Sequence, residues 1–276
     1  MAKVNENFEL KKTINDYCQK KDISKNELSV QIGINPAYLS KIENEKFDEI
    51  TDEVLTKIRA AINSINSREI LQTTDLMSVF NQCELTRRKK LMTALTGDTG
   101  MGKTTSLRAY SMRENVFFVT VNKTMTAKQL FVSILKNMGI LFNGTMYDIM
   151  QKMSDKLNQL ENPLLIIDEA GKLSDLMILY LHVLRENTLE NCGIVLSGMP
   201  YFKRNLQRCA ENQKEGYAEF FRRINIWHEL KGLNRKEVEL ICTKNGITGD
   251  FKPYYGLRFA DLTNKIMTEL LLNEKL

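Results

Sequence analysis

The chain has 276 residues, 43% hydrophobic and 26% charged, ordinary globular usage that excludes a disordered, collagen-like or low-complexity protein. Its length admits one large domain or two unequal ones, each with a real core, and the net charge of +5 biases it only weakly toward polyanionic partners. The five cysteines, Cys18, Cys83, Cys192, Cys209 and Cys242, form no CxxC pair, and the histidines are His182 and His228, which argues against a zinc ribbon or a disulfide framework. The first residues lack the apolar core of a signal peptide, and no apolar run approaches the roughly 18 residues that span a bilayer. Reduced thiols, a cytoplasmic location and no membrane partner are expected.

From about residue 8 to 62 the pattern predicts short helices. Within it, Ser24 to Asn44 reads as two helices about a glycine turn and resembles a helix-turn-helix of the phage-repressor kind. Small Ser29 lets the helices approach, Gly33 makes the turn, and Leu28, Ile32, Ile34, Leu39 and Ile42 supply the core. Asn35 caps a second helix whose face offers Pro36, Ala37, Tyr38, Ser40 and Lys41 to a DNA major groove or to a partner protein. Eight lysines against seven acids over residues 1–47 give a net charge of +1, thin for DNA binding. DNA is the first reading of this module, protein docking the second and a purely structural cap the third.

Asn63 to Thr74 loosens into polar residues suited to a linker. Beyond Lys90, apolar runs alternate with helical periodicity: LMTALTG, VFFVTVN, LLIIDEA, GIVLSG and INIWHEL. That alternation predicts an α/β domain with a mainly parallel five-stranded sheet. Leu130, Phe131, Ile134, Leu135 and Met138, and again Met146, Ile149, Met150, Met153 and Leu157, recur at helical spacing as core-facing stripes. After Gly232 the pattern is helical, beginning at the N-cap Asn234. The expected domains are residues 1–66, 67–232 and 233–276.

The strongest chemical signal follows the first apolar run. Gly97, Asp98, Thr99, Gly100, Met101, Gly102, Lys103 and Thr104 fit GxxxxGK[ST], and Thr104-Thr105 opens a helix. Glycines let successive N–H groups curl around a phosphate at a helix N-terminus that favours an anion. ATP is the expected ligand, with Lys103 on its β- and γ-phosphates and Thr104 on Mg²⁺. The third run ends in Asp168 and Glu169, at the carboxyl end of a buried strand. Asp168 is expected in the magnesium shell, and Glu169 is expected to polarise the attacking water.

The loop, the DEA ending, a polar residue after the fourth run and an arginine before the fifth together resemble an AAA+ ATPase from Thr73 to Leu276. The resemblance implies a first sensor after the fourth strand. There the family's usual Asn or Thr is replaced by Met199, and Ser197 is the substitute. It implies that Arg223, with Arg222 as fallback, is the finger that enters a neighbouring subunit's site. It also implies that Arg258 is the second sensor, in a short C-terminal helical lid.

Further DNA backbone contacts are expected from Lys123 and Thr124 after the second strand, by analogy with transposition AAA+ proteins. Arg87-Arg88-Lys89-Lys90, Lys203, Arg204 and Arg208 are further basic candidates. A helix-turn-helix, a polar linker, a compact AAA+ module and a helical tail resemble, in that order, the ATP-dependent target-DNA activators of transposition. What this implies is self-assembly on duplex DNA with ATP and partnership with a DDE transposase. A helicase loader and an ATP-switched transcription regulator are the alternatives.

Overall fold

A computed structural model describes residues 2–21, 23–32, 34–51, 54, 55, 58 and 71–273. They form two compact units, residues 1–71 and 72–276.

The first unit is helical. α1 (Ala2–Lys21) is a single 20-residue helix, where the sequence pattern predicts only short ones. α2 (Lys25–Ile32) opens on Ser24, whose backbone N–H and hydroxyl both donate to Glu27 Oε2 while its hydroxyl oxygen accepts the Glu27 N–H. These hydrogen bonds lower the Glu27 pKa. α3 (Pro36–Glu43) starts behind Asn35, which accepts the Ala37 N–H at 2.9 Å, with Pro36 in the first turn where its missing donor costs nothing. Leu10, Ile14, Leu28, Leu39 and Ile42 are buried together, Ile34 packs against them, and Ser29 is fully buried with its hydroxyl on the Asn26 carbonyl. The turn at Gly33, the side chain of Ile32 and most of the polar linker from Asn63 lie outside the described residues.

The second unit begins at Thr73, which caps α4 (Thr74–Lys89) by accepting the Leu76 N–H. Next come β1 (Met92–Thr96), α5 (Lys103–Tyr110), β2 (Val116–Thr120), α6 (Ala127–Asn137), α7 (Met146–Gln159) and β3 (Leu164–Asp168). α8 (Asp175–Asn187), β4 (Gly193–Gly198), α9 (Tyr201–Glu211), α10 (Tyr217–Arg223) and β5 (Ile226–Glu229) complete the α/β part. All four strand pairings are parallel, in the order β2-β3-β4-β1-β5. Every residue of β1, β3 and β4 is buried, which is why these central strands read as unbroken apolar runs rather than alternating ones.

Helices cover both faces. Val79 and Cys83 of α4 and Leu107 and Tyr110 of α5 pack on Leu95, Ile166 and Val195, while α6 to α10 pack on Ala94, Ile167, Ile194 and Leu196. The crossovers bring the loops after β1, β3 and β4 to one edge, the carboxyl end of the sheet, where parallel α/β sheets bind their ligands.

The lid comprises α11 (Arg235–Lys244), with a capping box between Asn234 and Glu237, and α12 (Phe259–Asn273). Two buried carboxylates tie it to α4. Asp75 accepts the Lys231 and Gly232 N–H groups at 3.1 and 2.8 Å, and Glu237 accepts those of Thr74 and Asn234 at 2.5 and 2.8 Å.

Candidate active site

The loop from Gly97 to Gly102 joins the carboxyl end of β1 to the amino end of α5. Gly100 and Gly102 have φ of +78° and +85°, backbone that residues with a Cβ seldom adopt. A Cβ on Gly100 would lie 2.9 Å from that of Ala260 in the lid, and the Ala260 N–H donates to the Gly100 carbonyl at 3.0 Å. Glycine is therefore required twice at this position, for conformation and for the close approach of α12. Above the loop, Arg258 Nη2 stands 3.3 Å from Asp98 Oδ2. The proposed second sensor is thus held at the loop it would read.

Lys103 is buried, and its ammonium donates to the main-chain oxygens of Gly97 and Asp98 at 2.6 and 2.8 Å. Burial lowers its pKa, opposed by the carboxylates of Asp168, Glu169 and Asp98. The next residue, Thr104, donates its hydroxyl to Asp168 Oδ2 at 2.7 Å, joining the start of α5 to the end of β3. Asp168 is 1% exposed. Glu169, one residue beyond the strand, has φ of +58° and is half-buried, with Lys172 Nζ 3.2 Å from Oε2. The left-handed turn separates the two acids, leaving Asp168 against Thr104 and Glu169 at the rim.

Ser197, one strand over from β3, is fully buried and its hydroxyl has no hydrogen-bond partner. It shares a sheet face with Leu95 and Val195, the face covered by α5. A buried unpaired hydroxyl is costly, and a phosphate oxygen at the carboxyl end of the sheet would pair it. Together with the first N–H groups of α5, which have no intrahelical acceptor, and the Lys103 ammonium, these groups fit a nucleotide triphosphate. Among the described residues no cluster of three metal-ligating side chains occurs, so Mg²⁺ at Thr104 and Asp168 would depend on phosphate oxygens for the rest of its shell, its usual mode of binding.

Met101 turns its sulfur onto the Asp98 N–H at 3.1 Å, while Thr99 and Thr105 are exposed. Arg223 is engaged within its own chain, its Nη2 donating to Glu186 Oε2 at 2.7 Å, whereas Arg222 is exposed. Lys123 and Thr124 are exposed in the loop after β2. Of the predicted recognition face, Pro36, Ala37 and Ser40 are exposed, but Tyr38 packs against the core of the first unit and Lys41 Nζ is 3.3 Å from Glu49 Oε2. The basic run before β1 is largely consumed by structure: Arg87 donates to the Asn162 and Glu114 carbonyls, Arg88 pairs with Glu84, and Lys90 donates to Asn162 Oδ1. Sequence reasoning missed Asp75 and Glu237, whose role depends on residues more than 150 positions apart in the chain.

The parallel sheet and its phosphate loop define the class, a P-loop α/β fold with a helical lid. Residues 86–206 match the family model of the AAA domain and residues 14–70 that of the helix-turn-helix. The chain thus carries an AAA-type ATPase domain behind an N-terminal helix-turn-helix. Among solved structures it is similar to the Aeropyrum pernix ORC2 protein in its ADPNP–ADP complexes, at 15% identity over 63% of this chain and 51% of that one, with a TM-score of 0.48. It is also similar to a Walker-type ATPase of Pyrococcus abyssi, at 14% identity over 71% and 73% of the two chains and a TM-score of 0.48. The replication initiator DnaA, bound to AMPPCP and single-stranded DNA, shares 16% identity over 75% of this chain and 64% of its own, with a TM-score of 0.49. The chain spans about half the length of the ORC2 protein. No curated protein matches it in sequence. Among the described residues no helix is long and apolar enough to cross a membrane.

Proposed function

We propose that this chain is a Mg²⁺-dependent ATP hydrolase that assembles with copies of itself on duplex DNA and there selects target DNA for, and activates, a DDE transposase. The observation that carries the enzymatic part is the Thr104–Asp168 hydrogen bond beside Glu169, because it brings the two expected magnesium residues together next to an acid.

Lys103 exchanges its two carbonyl partners for the β- and γ-phosphates. Thr104 and Asp168 would hold Mg²⁺, which would supply charge neutralisation on the phosphates. Glu169 accepts a hydrogen bond from the attacking water and orients it toward the γ-phosphate, and Ser197 donates its unpaired hydroxyl to a phosphate oxygen. Arg258 exchanges Asp98 for nucleotide. The finger comes from a neighbouring copy and is Arg223, or Arg222 where Arg223 stays with Glu186.

The transposition role rests on the order of parts, which resembles the phage Mu transposition protein B. Lys123 and Thr124 are the proposed backbone contacts of the AAA module, and Pro36, Ala37, Tyr38, Ser40 and Lys41 form the face of the helix-turn-helix. For that face, partner docking gains from the pairing of its cation, Lys41, with Glu49.

Negative-stain images with duplex DNA and a slowly hydrolysed ATP analogue test the assembly. Filaments support target activation. Closed rings would instead indicate a helicase loader, and discrete dimers on one sequence a regulator.

A further inference from the structure

The outward face of α9 has an unusual charge pattern. Tyr201 to Arg208 contains Lys203, Arg204 and Arg208 and no acid. Many cations of this unit are spent on ion pairs: Arg88 with Glu84, Lys172 with Glu169, Lys214 with Asp175, Arg223 with Glu186 and Arg258 with Asp98. Arg204 and Arg208 are exposed and, among the described residues, have no such partner. Lys203, exposed on the same helix, lies over the Trp227 ring, 5.4 Å from its centroid.

Tyr201, Arg204, Asn205 and Arg208 fall at i, i+3, i+4 and i+7, one continuous stripe. Asn205 and Arg208 also line a cavity of about 180 Å³, together with Leu173, Ile178, Phe202 and Leu206. The apolar residues of the helix, Phe202 and Leu206, are 3% and 2% exposed, so neither offers an exposed anchor to a protein partner. A tyrosine that stacks on bases needs a free ring face. Tyr201 instead packs on Gly171, where a Cβ would lie 2.9 Å from its ring.

We propose that this stripe grips the sugar–phosphate backbone of duplex DNA, with Arg204 and Arg208 on phosphate oxygens and Asn205 and the Tyr201 hydroxyl as neutral donors beside them. The assignment rests on the DNA-binding reading above and adds to it a site on the AAA module. Arginines one turn apart on a rigid helix suit phosphate because each presents a planar fork of donors, and α9 is fixed at its amino end by Tyr201 on the turn that follows Glu169.

The test uses the full chain with a slowly hydrolysed ATP analogue and a labelled duplex of random sequence, titrated across a salt series. For Arg204→Gln/Arg208→Gln the slope of log K against log[salt] should fall by about two and affinity at low salt by about tenfold or more. ATP turnover without DNA should match the parent chain and shows that the variant is folded. Unchanged slope and affinity overturn the proposal. Unchanged duplex binding together with weaker retention of poly-glutamate would reassign the stripe to an acidic protein. If the parent chain itself binds no duplex at low salt, the DNA reading fails and this site falls with it.

Discussion

Arg223 and Glu186 form an ion pair at the amino edge of the sheet, with Arg223 Nε 2.6 Å from Glu186 Oε1. Arg223 ends α10 just before β5, whose first residue, Ile226, lies level with Thr93 at the start of β1. The phosphate loop follows the other end of β1, so a whole strand separates this arginine from the loop of its own chain. The proposed arginine finger at this position would therefore act on another copy. Both side chains are about a third exposed, so the pair contributes less than about 1 kcal/mol and yields readily to a better anion.

Arg223→Ala and Lys103→Ala should each be inactive alone but recover part of the ATPase activity when mixed, because some interfaces then join an intact loop to an intact arginine. Steady-state turnover across mixing ratios checks this. Recovery with Arg222→Ala instead would move the finger by one residue, and no recovery in confirmed assemblies would refute a finger in trans.

Arg258→Ala should leave the melting temperature nearly unchanged, since its pair with Asp98 is roughly half exposed on both sides. Nucleotide affinity, read by calorimetry, should fall about tenfold, the loss of one charge-assisted hydrogen bond. Unchanged affinity would show that Arg258 stays with Asp98 when nucleotide binds.

Asp75→Ala should be costly in a different way. Its carboxylate is buried and takes two backbone N–H groups of the strand-to-lid connection, Lys231 and Gly232. Leaving both unpaired should destabilise the second unit by about 2–4 kcal/mol in chemical denaturation. A loss below about 0.5 kcal/mol would mean that water replaces the carboxylate.

Burial pushes the thiols of Cys83 and Cys192 up to about 12, so almost no thiolate exists at either near neutral pH. Cys209 is partly exposed. Alkylation of the native protein at pH 8 should therefore modify Cys209 well before Cys83 or Cys192, as read by peptide mass spectrometry. Equal rates would show that the core opens on the labelling timescale.

Much of the candidate site was legible because its sequence pattern is local. The glycine spacing around Lys103 and the acids at the end of LLIID lie in short windows, and the fold brings Thr104 and Asp168 together as that reading requires. The three central strands, β1, β3 and β4, were legible because burial on both faces leaves an unbroken apolar run. The state of the cations was not legible. Glu186 comes 37 residues before Arg223, and Asn162 comes 75 residues after Arg87, so no local pattern announces that these arginines are engaged. The length of α1 was also missed, because its polar and apolar residues do not follow one clear helical stripe.

The central claim is that the site around Lys103, Thr104, Asp168 and Glu169 hydrolyses ATP, and single-turnover hydrolysis of radiolabelled ATP with Mg²⁺ by Glu169→Gln tests it most directly. The variant keeps the loop, the metal residues and nearly the shape of the acid, and loses the charge that orients water. ATP should bind at close to the parent affinity and remain intact, with turnover reduced at least about a hundredfold, whereas hydrolysis at the parent rate would contradict the assignment of Glu169 and the hydrolytic site built around it.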